Sequence, residues 1–189
     1  ARMLAADYAV RVEQQWDGTP ADAMVALHAR RSAASVAAWA ERHPGRPLVV
    51  VLTGTDLYRD LAMDAQARRS IELAQRLIVL HEFACDDVPA EQRHKCVVCF
   101  QSCGARRALP KTGRHLRALM VGHLRDVKDP RTWFAAVRKL SDREDLVFDH
   151  IGAALDPALG DEARALMREQ PRYRWLGELA HAATLRHIQ

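Results

Sequence analysis

Short, continuous runs of aliphatic residues, separated by helix-length segments, restrict the fold of this chain more than any other feature. Residues 48–52 are typical, with five apolar side chains in a row and no polar alternation. Runs of this kind are expected of strands that are covered on both faces, as in a parallel sheet. Strands that alternate with helices indicate βαβ units. The sequence therefore predicts an α/β fold.

The predicted elements follow this alternation along the whole chain. Strands are predicted at residues 9–13, 23–27, 48–52, 77–80, 96–100, 118–122, 146–151 and 173–176. Helices are predicted at residues 32–42, 64–74, 131–140 and 162–169, the last with a start near Pro157.

A polar segment near the middle of the chain predicts a domain boundary. The stretch "SCGARRALPKTGRH" contains two Gly and one Pro and has no apolar period, and the alternation of strands and helices begins again after it. We predict a domain at residues 1–103, a linker at 104–114 and a second domain at 115–189. Ligands of open α/β sheets bind beyond the carboxyl ends of the strands, so two such domains facing each other would form a cleft.

Composition narrows the class of ligand. The chain is 49% hydrophobic and 28% charged with a net charge of +4, and its arginines are scattered among acidic residues. A nucleic-acid surface would show a basic stripe with interleaved aromatics, so we expect small anions and no nucleic acid. There is no run of about 18 apolar residues and no leader-like segment, which predicts a cytoplasmic protein without membrane contact. Both ends of the chain read as interrupted helices, which suggests an incomplete sequence.

The first candidate site is "TGTD", directly after the apolar run 48–52. Thr53 and Thr55 offer hydroxyl groups, Gly54 permits a close approach to a ligand, and Asp56 adds a carboxylate at the end of the strand. Arg59 follows one turn later and could hold an anion. The alternative is a plain turn in which Asp56 caps the next helix.

The second candidate site is "GHLRDVKDP". A predicted strand ends at Gly122, and Arg125 and Lys128 follow three residues apart, which allows both to converge on one anionic group. The alternative is that both are solvated loop cations. For His123 we expect a place in the turn rather than a ligand contact.

Two further strands end at glycine. Gly152 follows the strand 146–151, and Gly177 follows the strand 173–176. A lone glycine at such a place commonly reflects tight packing between strand and helix. We expect Trp175 to be a core residue.

Cysteine spacing gives a weak metal signal. Cys96, Cys99 and Cys103 lie near His94, and a C-x-x-C pair can ligate zinc or iron–sulfur clusters. Residues three apart on a strand point to opposite faces, however, and a fourth ligand motif is lacking. We predict reduced thiols and no metal. The sequence also lacks a serine-nucleophile elbow, a dinucleotide-binding glycine fingerprint and a phosphate-binding Walker loop.

Three long segments resemble one family. "RPLVVVLTGTDLYRD", "LVFDHIGAALDPALGDEARA" and "PRYRWLGELAHA" occur in the order found in GT-B glycosyltransferases of the family-4 type, and they are most similar to the selenosugar synthase branch of selenoneine biosynthesis. The resemblance implies two Rossmann-like domains, both incomplete here, that face a cleft. It also implies transfer of a sugar from a UDP-sugar, in this branch UDP-N-acetylglucosamine, to selenophosphate, with no separate cofactor.

The resemblance also implies roles for particular residues. Arg125 and Lys128 would hold the diphosphate and stabilise the leaving UDP. Backbone groups near the nucleoside would come from Gly122, Gly152, Leu176, Gly177 and Leu179. The acceptor and sugar side would be formed by Thr53, Gly54, Thr55, Asp56 and Arg59, with Arg59 orienting the acceptor phosphate.

Two alternatives remain open at this point. A Glu-x7-Glu motif that binds the donor sugar in family-4 enzymes does not occur in the chain, which also suits a non-catalytic α/β binding module. A GT-B enzyme acting on a lipid or another small acceptor has the same expected fold. The choice of sugar, the stereochemical outcome and the oligomeric state are not predicted.

Overall fold

The computed structural model of the protein describes residues 4–189, which form two compact units. The first unit ends at Cys103, and the second comprises Gly104–Gln189. Each unit contains one parallel sheet with helices packed on it.

The first sheet has the strand order β1-β2-β3-β4, and all neighbouring pairs are parallel. Its strands are β1 (Met24–Leu27), β2 (Leu48–Val51), β3 (Arg76–Val79) and β4 (Cys96–Val98). Its helices are α1 (Ala33–Arg42), α2 (Leu61–Met63) and α3 (Ala65–Leu73), with short 3-10 segments at Leu4–Ala6, Glu82–Cys85 and Ala90–Lys95 and a π-helical turn at Asp56–Asp60.

The core of the first unit lies between α1, α3 and one face of the sheet. Trp39 of α1 and Leu48 and Leu77 of the central strands are fully buried there. Trp16 packs edge-on against Trp39, with ring centroids 5.2 Å apart. Burial of each large side chain contributes about 1.5–3 kcal/mol, so this layer holds the ends of β1 and β2 in a fixed relation.

The second sheet has the strand order β5-β6-β7, again with parallel pairs. Its strands are β5 (Leu116–Val121), β6 (Leu146–Ile151) and β7 (Tyr173–Trp175). Its helices are α4 (Pro130–Lys139), α5 (Pro157–Glu169) and α6 (His181–Ile188), with a 3-10 turn at Asp126–Lys128.

Helices α4 and α5 begin in the same way at the carboxyl edge of this sheet. Asp129 caps α4 by accepting from the Thr132 N–H, and Asp156 caps α5 by accepting from the Ala158 N–H. A proline follows each cap at the first helical position, where no hydrogen bond from its nitrogen is needed. Phe134, Phe148 and Tyr173 form the aromatic part of the core beneath these helices.

A buried carboxylate in the middle strand of the second sheet binds arginines of both neighbouring strands. Asp149 of β6 is fully buried, and Arg174 of β7 donates to both of its oxygens at 2.7 and 2.8 Å. Arg117 of β5 lies 3.4 Å from the same carboxylate. The three strands are therefore linked by charge as well as by backbone hydrogen bonds.

The predicted α/β class with two Rossmann-like sheets is confirmed, and the seven strands found match predicted strands with ends within two residues. The predicted strand at residues 9–13 is wrong, because this stretch has no ladder partner and Val12 is 79% exposed. The last strand of the first sheet stops at Val98 rather than residue 100. Helix α5 runs from Pro157 and is longer than the predicted segment 162–169. Among residues 4–189, no helix combines the length and apolarity that crossing a lipid bilayer requires.

Candidate functional site

The carboxyl edge of the first sheet is organised by the Asp56 carboxylate. Its Oδ1 accepts from the backbone N–H groups of Thr53 and Gly54, both at 2.9 Å, and its Oδ2 accepts from the Ala29 N–H at 2.9 Å. Asp56 is fully buried. One side chain thus joins the loop after β1 to the loop after β2, two segments that are 27 residues apart.

This arrangement corrects the alternative in which Asp56 caps the following helix. The π-helical turn Asp56–Asp60 has no side-chain cap, and the donors to Asp56 precede that turn. Gly54 has φ 129°, a conformation that favours glycine, and its bend directs the Thr53 and Gly54 N–H groups toward Asp56. Thr53 and Thr55 remain exposed.

A second carboxylate, Asp60, lies at the same edge and is 4% exposed. Arg59 donates from Nε to Asp60 Oδ1 at 3.0 Å, so this part of its guanidinium is engaged within the protein. His28, which directly follows β1, is nearly buried and has φ 76°, unusual for a residue with a Cβ. Its Nε2 lies 3.9 Å from Asp60 Oδ2. Sequence reasoning missed His28, because only its backbone conformation distinguishes it from an ordinary loop histidine.

Tyr58 and His81 form a hydrogen-bonded pair on the surface of the first unit. The Tyr58 hydroxyl and His81 Nε2 are 2.7 Å apart, and Tyr58 is 58% exposed. A groove of about 380 Å³ runs along Tyr58 and is also lined by Asp87 and Arg93. The pair joins the segment after β2 to the segment after β3. It too was missed, since no motif connects residues 23 positions apart.

At the carboxyl edge of the second sheet, three glycines bring backbone segments together. A Cβ placed on Gly152 would lie 2.0 Å from the Gly122 carbonyl oxygen, so only glycine fits this contact. The Gly152 N–H donates to the Gly177 carbonyl at 2.8 Å. Gly152 has φ 154° and Gly177 has φ 69°. The strand ends of β5, β6 and β7 therefore meet in direct backbone contacts.

Side chains also form hydrogen bonds with the backbone at this edge. The Gly122 carbonyl can only accept, so His150 Nε2, 3.1 Å away, carries a proton, and Nδ1 accepts from the Tyr173 hydroxyl at 3.1 Å. Burial lowers the pKa of His150, which favours this neutral form. Trp175 donates from Nε1 to the Gly152 carbonyl at 2.8 Å. His123 lies in the turn and accepts from the Ala153 N–H at 3.0 Å.

The predicted donor cations belong to the turn that follows β5 at the same edge. Arg125 and Lys128 are both exposed, and Lys128 is positioned with its Cγ 3.6 Å from where a Cβ of Gly122 would be. Its aliphatic stem therefore passes over the glycine backbone. Leu176, Gly177 and Leu179 are half-buried next to the end of β7, and the Leu176 N–H donates to the His150 carbonyl at 2.8 Å.

The cysteines do not assemble into a ligand set in the part of the chain that is described. No three His, Cys, Asp or Glu side chains within residues 4–189 are placed to hold a metal ion. Burial, with the neighbouring Cys85, raises the pKa of Cys96 to about 11, so this thiol stays protonated near neutral pH. Cys99 and Cys103 are exposed.

No protein-family model and no curated protein sequence matches the chain. Its fold is similar to that of the lipopolysaccharide outer core galactosyltransferase WaaB in the apo form, with a TM-score of 0.55 at 14% identity. That match covers 87% of this chain and 46% of the galactosyltransferase. Accessory secretory protein 1, 2 and 3 of Streptococcus pneumoniae gives a TM-score of 0.48 at 14% identity, with 88% and 34% of the two chains covered.

The chain thus spans about half the length of the galactosyltransferase that it matches. At 14% sequence identity, the similarity shows a shared fold and does not identify the reaction. The chain has an α/β fold with two parallel, Rossmann-like sheets, and it shares this fold with the galactosyltransferase structure.

Proposed function

We propose that the protein is a glycosyltransferase that transfers a sugar from a UDP-sugar, specifically UDP-N-acetylglucosamine, to selenophosphate in a selenosugar pathway of the cytoplasm. The observation that carries the proposal is the meeting of Gly122, Gly152 and Gly177 at one sheet edge, where the Lys128 side chain passes over Gly122 and the exposed Arg125 lies in the same turn. Residues without side chains let a nucleotide approach the backbone closely, and cations placed next to them can bind its diphosphate.

The charge on the diphosphate defines what the two cations contribute. As the bond between the anomeric carbon and the UDP oxygen breaks, the electron pair leaves with UDP and negative charge builds on the diphosphate. Arg125 and Lys128 stabilise that charge, and a metal ion is not required for this role. Nucleotide contacts through the backbone are assigned to Gly122, Gly152 and the segment from Leu176 to Leu179.

The acceptor side is assigned to Thr53, Gly54, Thr55, Asp56 and Arg59. The exposed Thr53 and Thr55 hydroxyls can bind sugar or acceptor oxygens, and Asp56 holds their loop in place. Selenophosphate is already anionic near neutral pH, so its selenium can attack the anomeric carbon without a strong base. The new carbon–selenium bond replaces the carbon–oxygen bond to UDP.

Calorimetric titration with UDP tests the donor assignment. Loss of one charge-assisted contact costs about 1.5–3 kcal/mol, so Arg125→Ala and Lys128→Ala should each weaken UDP binding by about 10-fold or more. Lys139→Ala is the matched control, because Lys139 is exposed at the opposite end of α4. Equal UDP affinity in all four proteins would refute the donor site, and the absence of UDP binding to the unmodified protein would favour a binding module of another kind.

Mass spectrometry tests the acceptor. Protein, UDP-N-acetylglucosamine and selenophosphate should give a sugar that carries the isotope pattern of selenium. A glycosylated hydroxyl compound in place of the selenium product would refute selenophosphate as the acceptor.

A second candidate acceptor is a small molecule that reacts through a hydroxyl group. The specific observation in its favour is the exposed Tyr58–His81 pair, since a hydroxyl nucleophile must lose a proton and an imidazole can accept it. His81→Asn separates the two cases. It should abolish transfer to a hydroxyl acceptor and leave transfer to selenophosphate within about threefold.

A further inference from the structure

Two arginines from different loops meet at the carboxyl edge of the first sheet. Arg30 follows β1 and Arg59 lies in the π-helical turn after β2. Both contact the same atom, Asp60 Oδ1: Arg59 Nε at 3.0 Å and Arg30 Nη1 at 4.0 Å. The two nitrogens are therefore no more than about 7 Å apart, which places the two guanidinium groups close enough for one tetrahedral oxyanion to contact both.

Each guanidinium group is oriented by a carboxylate that contacts its Nε. Asp60 holds Arg59 at Nε, and Asp64 holds Arg30 at Nε with a distance of 2.9 Å. Asp64 is itself fixed, because it caps α3 by accepting from the backbone N–H groups of residues 66 and 67. These contacts restrict the arginines before any ligand binds, which lowers the entropic cost of binding.

Both arginine side chains remain accessible to a ligand although carboxylates contact them. The Arg30 and Arg59 side chains are 52% and 60% exposed, whereas the Asp60 side chain is buried. Each guanidinium still has donors at its terminal nitrogens that can bind an oxyanion in a bidentate manner. The arrangement offers several directed donors from two sides rather than a diffuse positive surface.

The backbone at this place is held in an unfavourable conformation. His28 has φ 76°, which costs about 1–2 kcal/mol for a residue with a Cβ. The conformation is retained because the Val51 carbonyl accepts from the His28 N–H at 2.9 Å and Asp56 accepts from the Ala29 N–H. Strain that is held by such contacts concentrates at functional sites. Here it directs the chain so that Arg30 turns back toward Asp60.

We infer that Arg30 and Arg59 together form a binding site for a phosphate-class oxyanion, with Asp60 and Asp64 as positioning residues. Because the carboxylates balance the arginine charge, selectivity comes from the number and spacing of the ligand oxygens, which favours tetrahedral oxyanions over chloride or a simple carboxylate. The identification of this anion with the acceptor selenophosphate rests on the proposed function, whereas the site itself does not. Arg30 is the residue that this inference adds.

Inorganic thiophosphate is the probe, since it has the same shape and charge as selenophosphate and resists oxidation better. Calorimetry should show one thiophosphate bound per chain, and Arg30→Gln and Arg59→Gln should each weaken binding by about 10-fold or more. Arg31→Gln is the matched control. It removes the same charge from the same loop, and Arg31 takes part in the loop through its backbone N–H, which donates to His28 Nδ1. Arg31→Gln should bind within about twofold of the unmodified protein.

A measurement on the unmodified protein guards against misfolded variants. The Nε–H resonances of Arg30 and Arg59 should shift together as thiophosphate is added, and that of Arg31 should not. Equal loss of binding in all three variants, no thiophosphate binding at millimolar concentration, or shifts spread over many arginines would overturn the inference. Thiophosphate binding without UDP binding would refute the proposed transfer function and keep this site. UDP binding without thiophosphate binding would refute this anion site and leave the proposed transfer function standing.

Discussion

Replacing Gly152 with alanine should be the most damaging small substitution at the edge of the second sheet. The added Cβ would meet the Gly122 carbonyl oxygen at 2.0 Å, the Gly122 carbonyl carbon at 2.5 Å and the His123 nitrogen at 2.8 Å. All three atoms belong to the backbone that follows β5, so no side-chain rotation can relieve the contact. The ends of β5 and β6 would have to separate.

The expected cost has two parts. Overpacking of a well-packed site costs about 1–3 kcal/mol, and the φ of 154° at Gly152 adds strain of about 1–3 kcal/mol for a residue with a Cβ. We therefore expect Gly152→Ala to lower the free energy of unfolding of the second unit by about 3–5 kcal/mol. Gly177→Ala is the matched control, since a Cβ there meets nothing within 4 Å and only the φ of 69° opposes it, at about 1–2 kcal/mol.

Hydrogen exchange followed by mass spectrometry measures this effect within one unit of a chain that has two. Amides of β6 should exchange faster by a factor of about 10² or more in Gly152→Ala, and by about 10-fold in Gly177→Ala. Amides of β2 report on the first unit and should not change. Equal exchange of β6 in the two variants would refute the close approach of Gly152 to the Gly122 carbonyl.

Three further predictions concern buried ionisable groups. Asp56→Asn should lower the free energy of unfolding by about 3 kcal/mol, because three backbone N–H groups lose a charged acceptor. Urea titration should give a lower unfolding midpoint for Asp56→Asn than for the exposed control Asp87→Asn. Equal unfolding midpoints of the two variants would contradict the role of Asp56. Asp149→Asn should cost about 2–3 kcal/mol by leaving its two arginines without a counter-charge, and a loss below about 0.5 kcal/mol in the same assay would show that solvent replaces the pair. Because burial lowers the pKa of His150, the unfolded chain takes up a proton at higher pH than the folded one, so stability should fall as pH drops below about 6.5. The pKa of His43 is also lowered, mainly by burial and to a smaller extent by the charge of Arg46, so His43 likewise lowers stability as the pH falls. His150→Gln should therefore flatten, without abolishing, the dependence of the urea midpoint between pH 7 and 5, and an unchanged slope would refute the assignment.

Continuous apolar runs predicted the parallel strands well, for a simple reason. A strand that is largely covered has few polar positions to interrupt it, so the aliphatic residues 48–51 identify a strand, and in the sheet all four are buried or half-buried. The strand predicted at residues 9–13 does not form, because a strand needs a partner to complete the ladder, and Val10 and Val12 face solvent instead. The ends of the strands that form differ from the prediction by at most two residues, since pairing with the neighbouring strand decides where a ladder stops.

The candidate site residues were also predicted only in part from the sequence. Gly122 and Gly152 were identified because each directly follows a strand, and Asp56 because it lies in the loop segment after β2; the carboxyl ends of parallel strands are where ligands bind. What those residues contact was not predicted. Asp56 binds Ala29 of the neighbouring loop rather than a helix end, and His28 attracted no notice until its backbone conformation was seen.

The sequence by itself determined the α/β class, the strands of both sheets and the strand ends at which polar groups and glycines gather. These properties depend on neighbours along the chain, and local pattern records them. The tertiary structure alone decided that Arg30 and Arg59 share Asp60 and that a glycine must lie against the Gly122 carbonyl. Such contacts join residues about 30 positions apart, and only strand order and register bring them within hydrogen-bonding distance.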